Sequence, residues 1–144
     1  MPWTRPARTE FLARRYLASR GDAPMMPDPL TTALPRLRRE AMATVRLARI
    51  DLTLALGLTL AGMLGAVLVF LVPLHGGMLV VLAQLHLALA LGVVLAIWAA
   101  VVLETSAPRL LAGRRIIRAI HAGAMLEALE LALTALPVSA GRIV

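Results

Sequence analysis

The chain has 144 residues, of which 60% are hydrophobic and only 3% aromatic, and its formal net charge is +7. This composition excludes an ordinary water-soluble domain and indicates an integral membrane protein. All fifteen basic residues are arginine and there is no cysteine, which excludes disulfides, thiolate metal sites and a cysteine nucleophile.

The N-terminal 34 residues are predicted to form a basic arm. Pro6 near a helix start and Gly21 at a C-cap position predict a short helix over about 6–20. One face of this helix is apolar, which predicts a helix at the lipid interface, and a disordered basic tail is the alternative. A proline-broken linker follows at 21–29. The apolar face consists of Leu12, Ala13, Tyr16 and Leu17.

Two apolar segments are predicted to span the membrane. A helix beginning near Thr32 or Pro35 is expected to run without a break into the first span, at about 52–72. The second span, at about 77–103, is long enough to cross with some tilt. Only the turn-forming residues 73–77 separate the spans, so we predict an antiparallel hairpin.

The arginines predict the orientation of the hairpin. Ten arginines precede the first span, none lies in the turn, and five follow the second span. Because basic residues favour the cytoplasmic side, both termini are expected in the cytoplasm. Arginine without any lysine, beside abundant alanine and leucine, is typical of a GC-rich genome, so we expect a bacterial inner membrane.

The basic residues cluster beside apolar segments rather than on a soluble face with interleaved aromatic residues. We therefore expect anionic lipids, and no nucleic acid, as their partners. The expected headgroup contacts are Arg36, Arg38, Arg39, Arg46, Arg49, Arg114, Arg115 and Arg118.

The C-terminal segment is predicted to break at 106–108 and to continue as an amphipathic helix that bends at Gly123. Inserting this helix would place Glu127 and Glu130 near mid-membrane, at a cost of about 2.5 to 3.5 kcal/mol each, whereas each leucine or isoleucine returns only about 0.3 to 0.6 kcal/mol. We expect the helix to lie along the cytoplasmic surface or against a partner, with a third span as the alternative.

The predicted fold class is an all-α integral membrane protein: a two-span helical hairpin with an extended juxtamembrane helix and an amphipathic helix at each end. Three segments are predicted: the basic arm 1–34, the juxtamembrane helix with the hairpin 35–104, and the C-terminal amphipathic helix with its tail 105–144.

Small residues recur at four-residue spacing in both spans, which places each set on one helix face. Such faces let two backbones approach closely, and this contact drives helix association in lipid. We therefore predict that they join the two spans, with Gln84 extending the second face by one turn. The predicted packing residues are Gly57, Ala61, Gly65, Gln84, Ala88, Gly92, Ala96 and Ala100.

His86 points away from this packing face, because two residues correspond to about 200° around a helix. An unpaired imidazole roughly 13 Å inside a span is costly, so we expect His86 to face a partner. The partner is predicted to be a neighbouring helix that forms a hydrogen bond with a neutral His86 ring. A haem or chlorophyll ligated by His86 and a proton pathway are alternatives.

The sequence contains no phosphate-binding glycine loop, nucleophile elbow, metalloprotease histidine pair or Glu-x-x-His motif. We therefore predict no catalytic residue, no metal site and no required cofactor. The expected function is that of an accessory or structural subunit of a larger membrane complex, respiratory or photosynthetic. A homo-oligomeric pore or holin-like protein is one alternative, and a proton or ion transport component that uses His86, Glu127 and Glu130 is another.

Overall fold

A computed structural model describes residues 5–21, 28–71 and 77–136 of the chain. Most of the predicted linker at 21–29 and of the predicted turn at 73–77 lies outside these residues. Across the described ranges the protein is helical and contains no strand, which confirms the predicted all-α class. The helices are α1 (Arg5–Ser19), α2 (Pro29–Leu71), α3 (Met78–His121) and α4 (Met125–Ala135).

Helices α2 and α3 are both long and apolar enough to cross a membrane. Their most apolar 18-residue windows have mean hydropathies of 2.2 and 2.5. The two apolar segments found in the sequence are therefore confirmed as long helices.

The chain divides into two compact units. The terminal unit comprises Met1–Ala48 and Pro108–Val144, and the central unit comprises Arg49–Ala107. These boundaries differ from those predicted at residues 34 and 104. The reason is packing: Leu37 and Ala41 of α2 are fully buried in the same core as residues from both ends of the chain.

The core of the terminal unit combines side chains from all four helices. Tyr16 of α1, Leu37 of α2 and Ile116 of α3 are each fully buried, and Leu129 of α4 is nearly so. Burial of a large apolar side chain stabilises a fold by about 1.5 to 3 kcal/mol. Protein side chains therefore cover the apolar face of α1, in place of the lipid interface that the sequence predicted.

Helix α4 packs against α1 within the terminal unit. Its buried side consists of Ala128, Leu129 and Ala132. The helix has 11 residues, which corresponds to about 16 Å, whereas a membrane-spanning helix needs about 20 residues. Helix α4 is therefore shorter than a membrane span, and its apolar face packs against α1 of the same chain.

Two helix boundaries differ from the prediction because of proline and its neighbours. Helix α2 begins at Pro29, before the predicted start, since the Oδ1 of Asp28 accepts hydrogen bonds from the N–H groups of Leu30 and Thr31. Helix α3 continues through Pro108, where a break was predicted. A proline removes only one backbone hydrogen bond, and the turns on both sides of Pro108 remain helical.

The bend predicted at Gly123 is a complete break between α3 and α4. Gly123 has a φ of +72°, a conformation that favours glycine. The N–H of Ala124 donates to the carbonyl of Ala119, and the N–H of Gly123 donates to the carbonyl of Ile120. This pair of bonds is a Schellman motif, which satisfies the last carbonyls of α3 and redirects the chain.

Candidate functional sites

His86 lies exposed on α3 in the central unit. Its Nδ1 is 2.7 Å from the carbonyl oxygen of Leu82, one turn earlier in the same helix. Because a carbonyl only accepts hydrogen bonds, Nδ1 is the donor in this contact, which leaves Nε2 as the nitrogen without a bond to the helix. The helix itself thus satisfies one ring nitrogen, and Nε2 can act as an acceptor or a metal ligand.

The small-residue faces that were predicted to join the spans are mostly exposed. A Cβ added at Gly57, Gly65 or Gly92 would have no heavy atom within 4 Å. Only Gln84 and Ala88 of the predicted set are half-buried. The exposed members are Gly57, Ala61, Gly65, Gly92, Ala96 and Ala100.

Two other contacts join α2 and α3 in the central unit. A Cβ added at Gly62 would overlap Cδ1 of Leu95, and the Oγ of Ser106 donates to Oδ2 of Asp51 over 3.4 Å. As the residue number increases from 51 to 62 along α2, the number of the contacting residue in α3 decreases from 106 to 95. The two helices therefore run in opposite directions.

The face of α2 that is covered in the central unit differs from the small-residue face in its spacing. Along α2, successive covered positions are separated alternately by three and by four residues. The average spacing of 3.5 residues keeps these positions on the side of the helix that faces a neighbouring helix. A strict four-residue spacing drifts around the helix by about 40° per step. The covered positions within the central unit are Leu52, Ala55, Thr59, Gly62 and Ala66.

Glu127 and Glu130 lie on α4 in the terminal unit, and Glu130 forms an ion pair with α1. The Nη2 of Arg8 donates to Oε1 of Glu130 over 2.7 Å, and this ion pair joins α1 to α4. Both side chains are largely exposed, so the pair contributes about 0 to 1 kcal/mol. Among the described residues, no group of three or more His, Cys, Asp or Glu side chains is placed to hold a metal ion.

A polar cluster that the sequence analysis missed lies in the terminal unit, and we call it the Glu40 cluster: Tyr16, Arg20, Arg36 and Glu40. Oε2 of Glu40 accepts a hydrogen bond from the Tyr16 hydroxyl over 2.8 Å and pairs with Nε of Arg20 at 3.1 Å. Oε1 of Glu40 pairs with Nε of Arg36 at 3.3 Å. One carboxylate of α2 therefore contacts Tyr16 of α1 and Arg20 just after α1, and it also pairs with Arg36 of its own helix.

Burial shapes the chemistry of the Glu40 cluster. The Arg20 side chain is only 3% exposed, and its guanidinium lies 5.6 Å from the centre of the Tyr16 ring. Burial, reinforced by the hydrogen bond to Glu40, raises the pKa of Tyr16 well above its ordinary value. The phenol therefore stays protonated, and the cluster stabilises the fold rather than supplying a reactive base.

The predicted headgroup arginines fall into two groups. Arg36 is used inside the terminal unit, where it pairs with Glu40 and its Nη2 donates to the carbonyl of Arg20. The other members are exposed, as a lipid contact requires. These exposed members are Arg38, Arg39, Arg46, Arg49, Arg114, Arg115 and Arg118.

The fold and these sites define an all-helical protein with two helices that are long and apolar enough to cross a membrane. No family model, no curated protein and no solved structure matches the sequence.

Proposed function

We propose that this chain is a two-span membrane protein that serves as a non-catalytic accessory or structural subunit of a larger membrane complex. The observation that carries the proposal is the exposure of its apolar helices. None of the most apolar 18-residue window of α3 is buried, and only 6% of that of α2. A core helix of a soluble protein would be buried, since water around each large apolar side chain costs about 1.5 to 3 kcal/mol. Lipid is the solvent that suits this surface.

The proposed membrane arrangement is an antiparallel hairpin of α2 and α3. The contacts of Gly62 with Leu95 and of Asp51 with Ser106 support it. Polar side chains inside the spans also bond to their own helices: Thr53 donates to the carbonyl of Ile50, and Thr59 to that of Ala55. These local bonds lower the cost of placing hydroxyl groups in hydrocarbon.

The exposed small-residue faces support the part of the proposal that concerns partners. Gly57, Ala61 and Gly65 form one such face on α2, and no side chain in the described part of the chain occupies the space beside the two glycines. A helix of another subunit can approach such a face closely. His86 adds an exposed Nε2 that accepts a hydrogen bond from a partner, or ligates haem or chlorophyll if the host is respiratory or photosynthetic.

The two alternative functions receive less support. A transporter that uses Glu127 and Glu130 needs them in the membrane, but α4 packs against α1 and Glu130 pairs with Arg8. A homo-oligomeric pore needs a polar stripe along a span. The hydroxyls of Thr53 and Thr59 are instead bound to the backbone of their own helix.

The absence of cysteine allows a direct test of the topology. Single cysteines would be introduced at the exposed positions Arg38, Gly77 and Arg114, and intact cells would be treated with a membrane-impermeant maleimide. We expect Gly77→Cys to react in intact cells, and Arg38→Cys and Arg114→Cys to react only after permeabilisation, because the arginines favour the cytoplasm. Reaction of all three cysteines in intact cells, or recovery of the chain in the soluble fraction, would contradict the hairpin.

Gentle extraction of the native membrane tests the role as a subunit. We expect a particle much larger than this chain that contains other proteins, and we expect His86→Leu to release part of them. His121→Leu is the matched control, since it makes the same change at an exposed position of α3 that lies in the terminal unit. A particle that contains only copies of this chain would contradict the proposal and favour the pore. Visible absorbance that His86→Leu removes would identify the haem or chlorophyll.

A further inference from the structure

An open cleft lies between the last turns of α3 and one face of α4, within the terminal unit. Its volume is about 390 Å³, which falls in the range of small-molecule sites, about 300 to 1,000 Å³. The lining residues are Arg115, Arg118, Ala119, Ala122, Ala124, Glu127 and Leu131.

Two arginines and one glutamate line this cleft, which leaves it with a net positive charge. Arg115 and Arg118 are three residues apart on α3 and both exposed, so they are neighbours on the helix surface and repel each other. No ion pair involves either side chain within the described ranges. An anion between them would relieve the repulsion and accept charge-assisted hydrogen bonds from both. The nearby first turn of α4 has no side-chain cap and adds a weaker positive field.

The rest of the lining selects among anions. Ala119 is buried, and Ala124 and Leu131 are half-buried, so the floor of the cleft is apolar. Such a floor suits a ligand that carries an apolar part next to its charged group. Glu127 lines the same cleft, and its negative charge repels an anion and lowers the affinity. Removing this charge should therefore strengthen binding, whereas removing an arginine should weaken it.

We propose that this cleft binds the phosphate group of an anionic amphiphile. Two sources share this chemistry: the headgroup of an acidic phospholipid, and a free phosphorylated molecule. The apolar floor favours the phospholipid. The inference does not depend on the proposed membership of a complex, because the cleft belongs to a single chain.

The test uses the full-length chain, purified in an uncharged detergent, with three probes: inorganic phosphate, phosphatidylglycerol and phosphatidylcholine. Binding would be measured by native mass spectrometry for the lipids and by phosphorus-31 nuclear magnetic resonance for inorganic phosphate. We expect phosphatidylglycerol to bind at least about tenfold more tightly than either of the other probes, since it alone combines a net negative phosphate group with acyl chains.

Charge variants locate the binding site. The double variant Arg115→Gln, Arg118→Gln should weaken phosphatidylglycerol binding by about tenfold or more, because it removes both charged donors. The matched control Arg15→Gln, Arg109→Gln changes the net charge equally with two exposed arginines that neither line the cleft nor belong to the predicted headgroup contacts, and should change binding by about twofold at most. Glu127→Gln should strengthen binding, which a merely structural role would not produce.

Each remaining outcome either supports or overturns the proposed phosphate site. Equal effects of the two double variants would overturn the proposal, since binding would then follow net charge alone. Failure of both phosphate-containing anions to bind would also overturn it. Competition between phosphatidylglycerol and inorganic phosphate would support one shared phosphate site, and tighter binding of inorganic phosphate would assign the cleft to a soluble ligand. Ala122→Trp, at an exposed position that lines the cleft, should block binding without removing a charge.

Discussion

Glu40→Gln is expected to destabilise the terminal unit by about 3 kcal/mol. The substitution keeps the shape of the side chain but removes the negative charge that Tyr16, Arg20 and Arg36 share. Arg20, whose side chain is only 3% exposed, would then lose the charge of Glu40, and breaking a buried ion pair in this way costs about 3 to 5 kcal/mol. Glu40 itself is 27% exposed, so the lower end of that range applies.

Amide hydrogen exchange in α1 of the full-length chain measures this effect, because it reports the free energy of opening one part of a protein. Glu10→Gln is the matched control. Glu10 pairs with Arg14 on the same helix at 2.8 Å, but both side chains are nearly half-exposed. We expect the control to cost about 0.5 kcal/mol or less. If the two variants lowered the free energy of opening by similar amounts, burial would not make the Glu40 cluster more stabilising than an exposed ion pair.

The long apolar helices were predictable because their signal is local. Twenty consecutive apolar residues form a helix in lipid whatever the rest of the chain does, since every backbone group must bond within the segment. The same reasoning found Gly123 as a point of bending, although only the structure shows that the Schellman motif ends α3 there. Gly21 at the end of α1, with a φ of +80°, is likewise a local signal that the sequence displayed.

Contacts between distant parts of the chain were not predictable in this way. The apolar faces of α1 and α4 had the pattern of interfacial helices, and nothing in either segment shows that they pack together. Arg8 and Glu130 are 122 positions apart, and their ion pair exists only because the two helices meet. The Glu40 cluster gave a partial signal, since Arg36 and Glu40 have the four-residue spacing of a helical ion pair. Tyr16 and Arg20 join it through the fold alone.

The small residues of the spans show a different limit of prediction from sequence. Both possible faces of α2 are rich in alanine and glycine, so composition does not distinguish the face that contacts α3 from the face that is exposed. Gly62 lies against Leu95, whereas Gly57 and Gly65 face open space. The exposed face is therefore a feature that intramolecular packing does not explain, and it is consistent with contact to another subunit.

Gly113→Leu is the second substitution with a large expected effect. Gly113 lies in α3 within the terminal unit, where a Cβ would be 2.6 Å from Cγ2 of Val45 and 3.2 Å from the carbonyl oxygen of Ala41. The first neighbour is a branched side chain and the second is backbone, so neither moves away at low cost. A leucine there would push α2 and α3 apart and disturb the core around Leu37 and Ile116. Overpacking costs about 1 to 3 kcal/mol, and we expect the upper end of this range.

Gly92→Leu is the matched control for Gly113→Leu, since it makes the same change in the same helix at a position with no neighbour within 4 Å. Replacing glycine by leucine inside a helix favours the helix by up to about 1 kcal/mol. We therefore expect Gly92→Leu to leave hydrogen exchange in the terminal unit unchanged, and Gly113→Leu to accelerate it at Leu37 and Ile116. If Gly113→Leu instead left that exchange unchanged, the close approach of α2 and α3 at Gly113 would be wrong. If Gly92→Leu left the fold intact but released other subunits from the native complex, the same control would identify Gly92 as a contact with a neighbouring subunit.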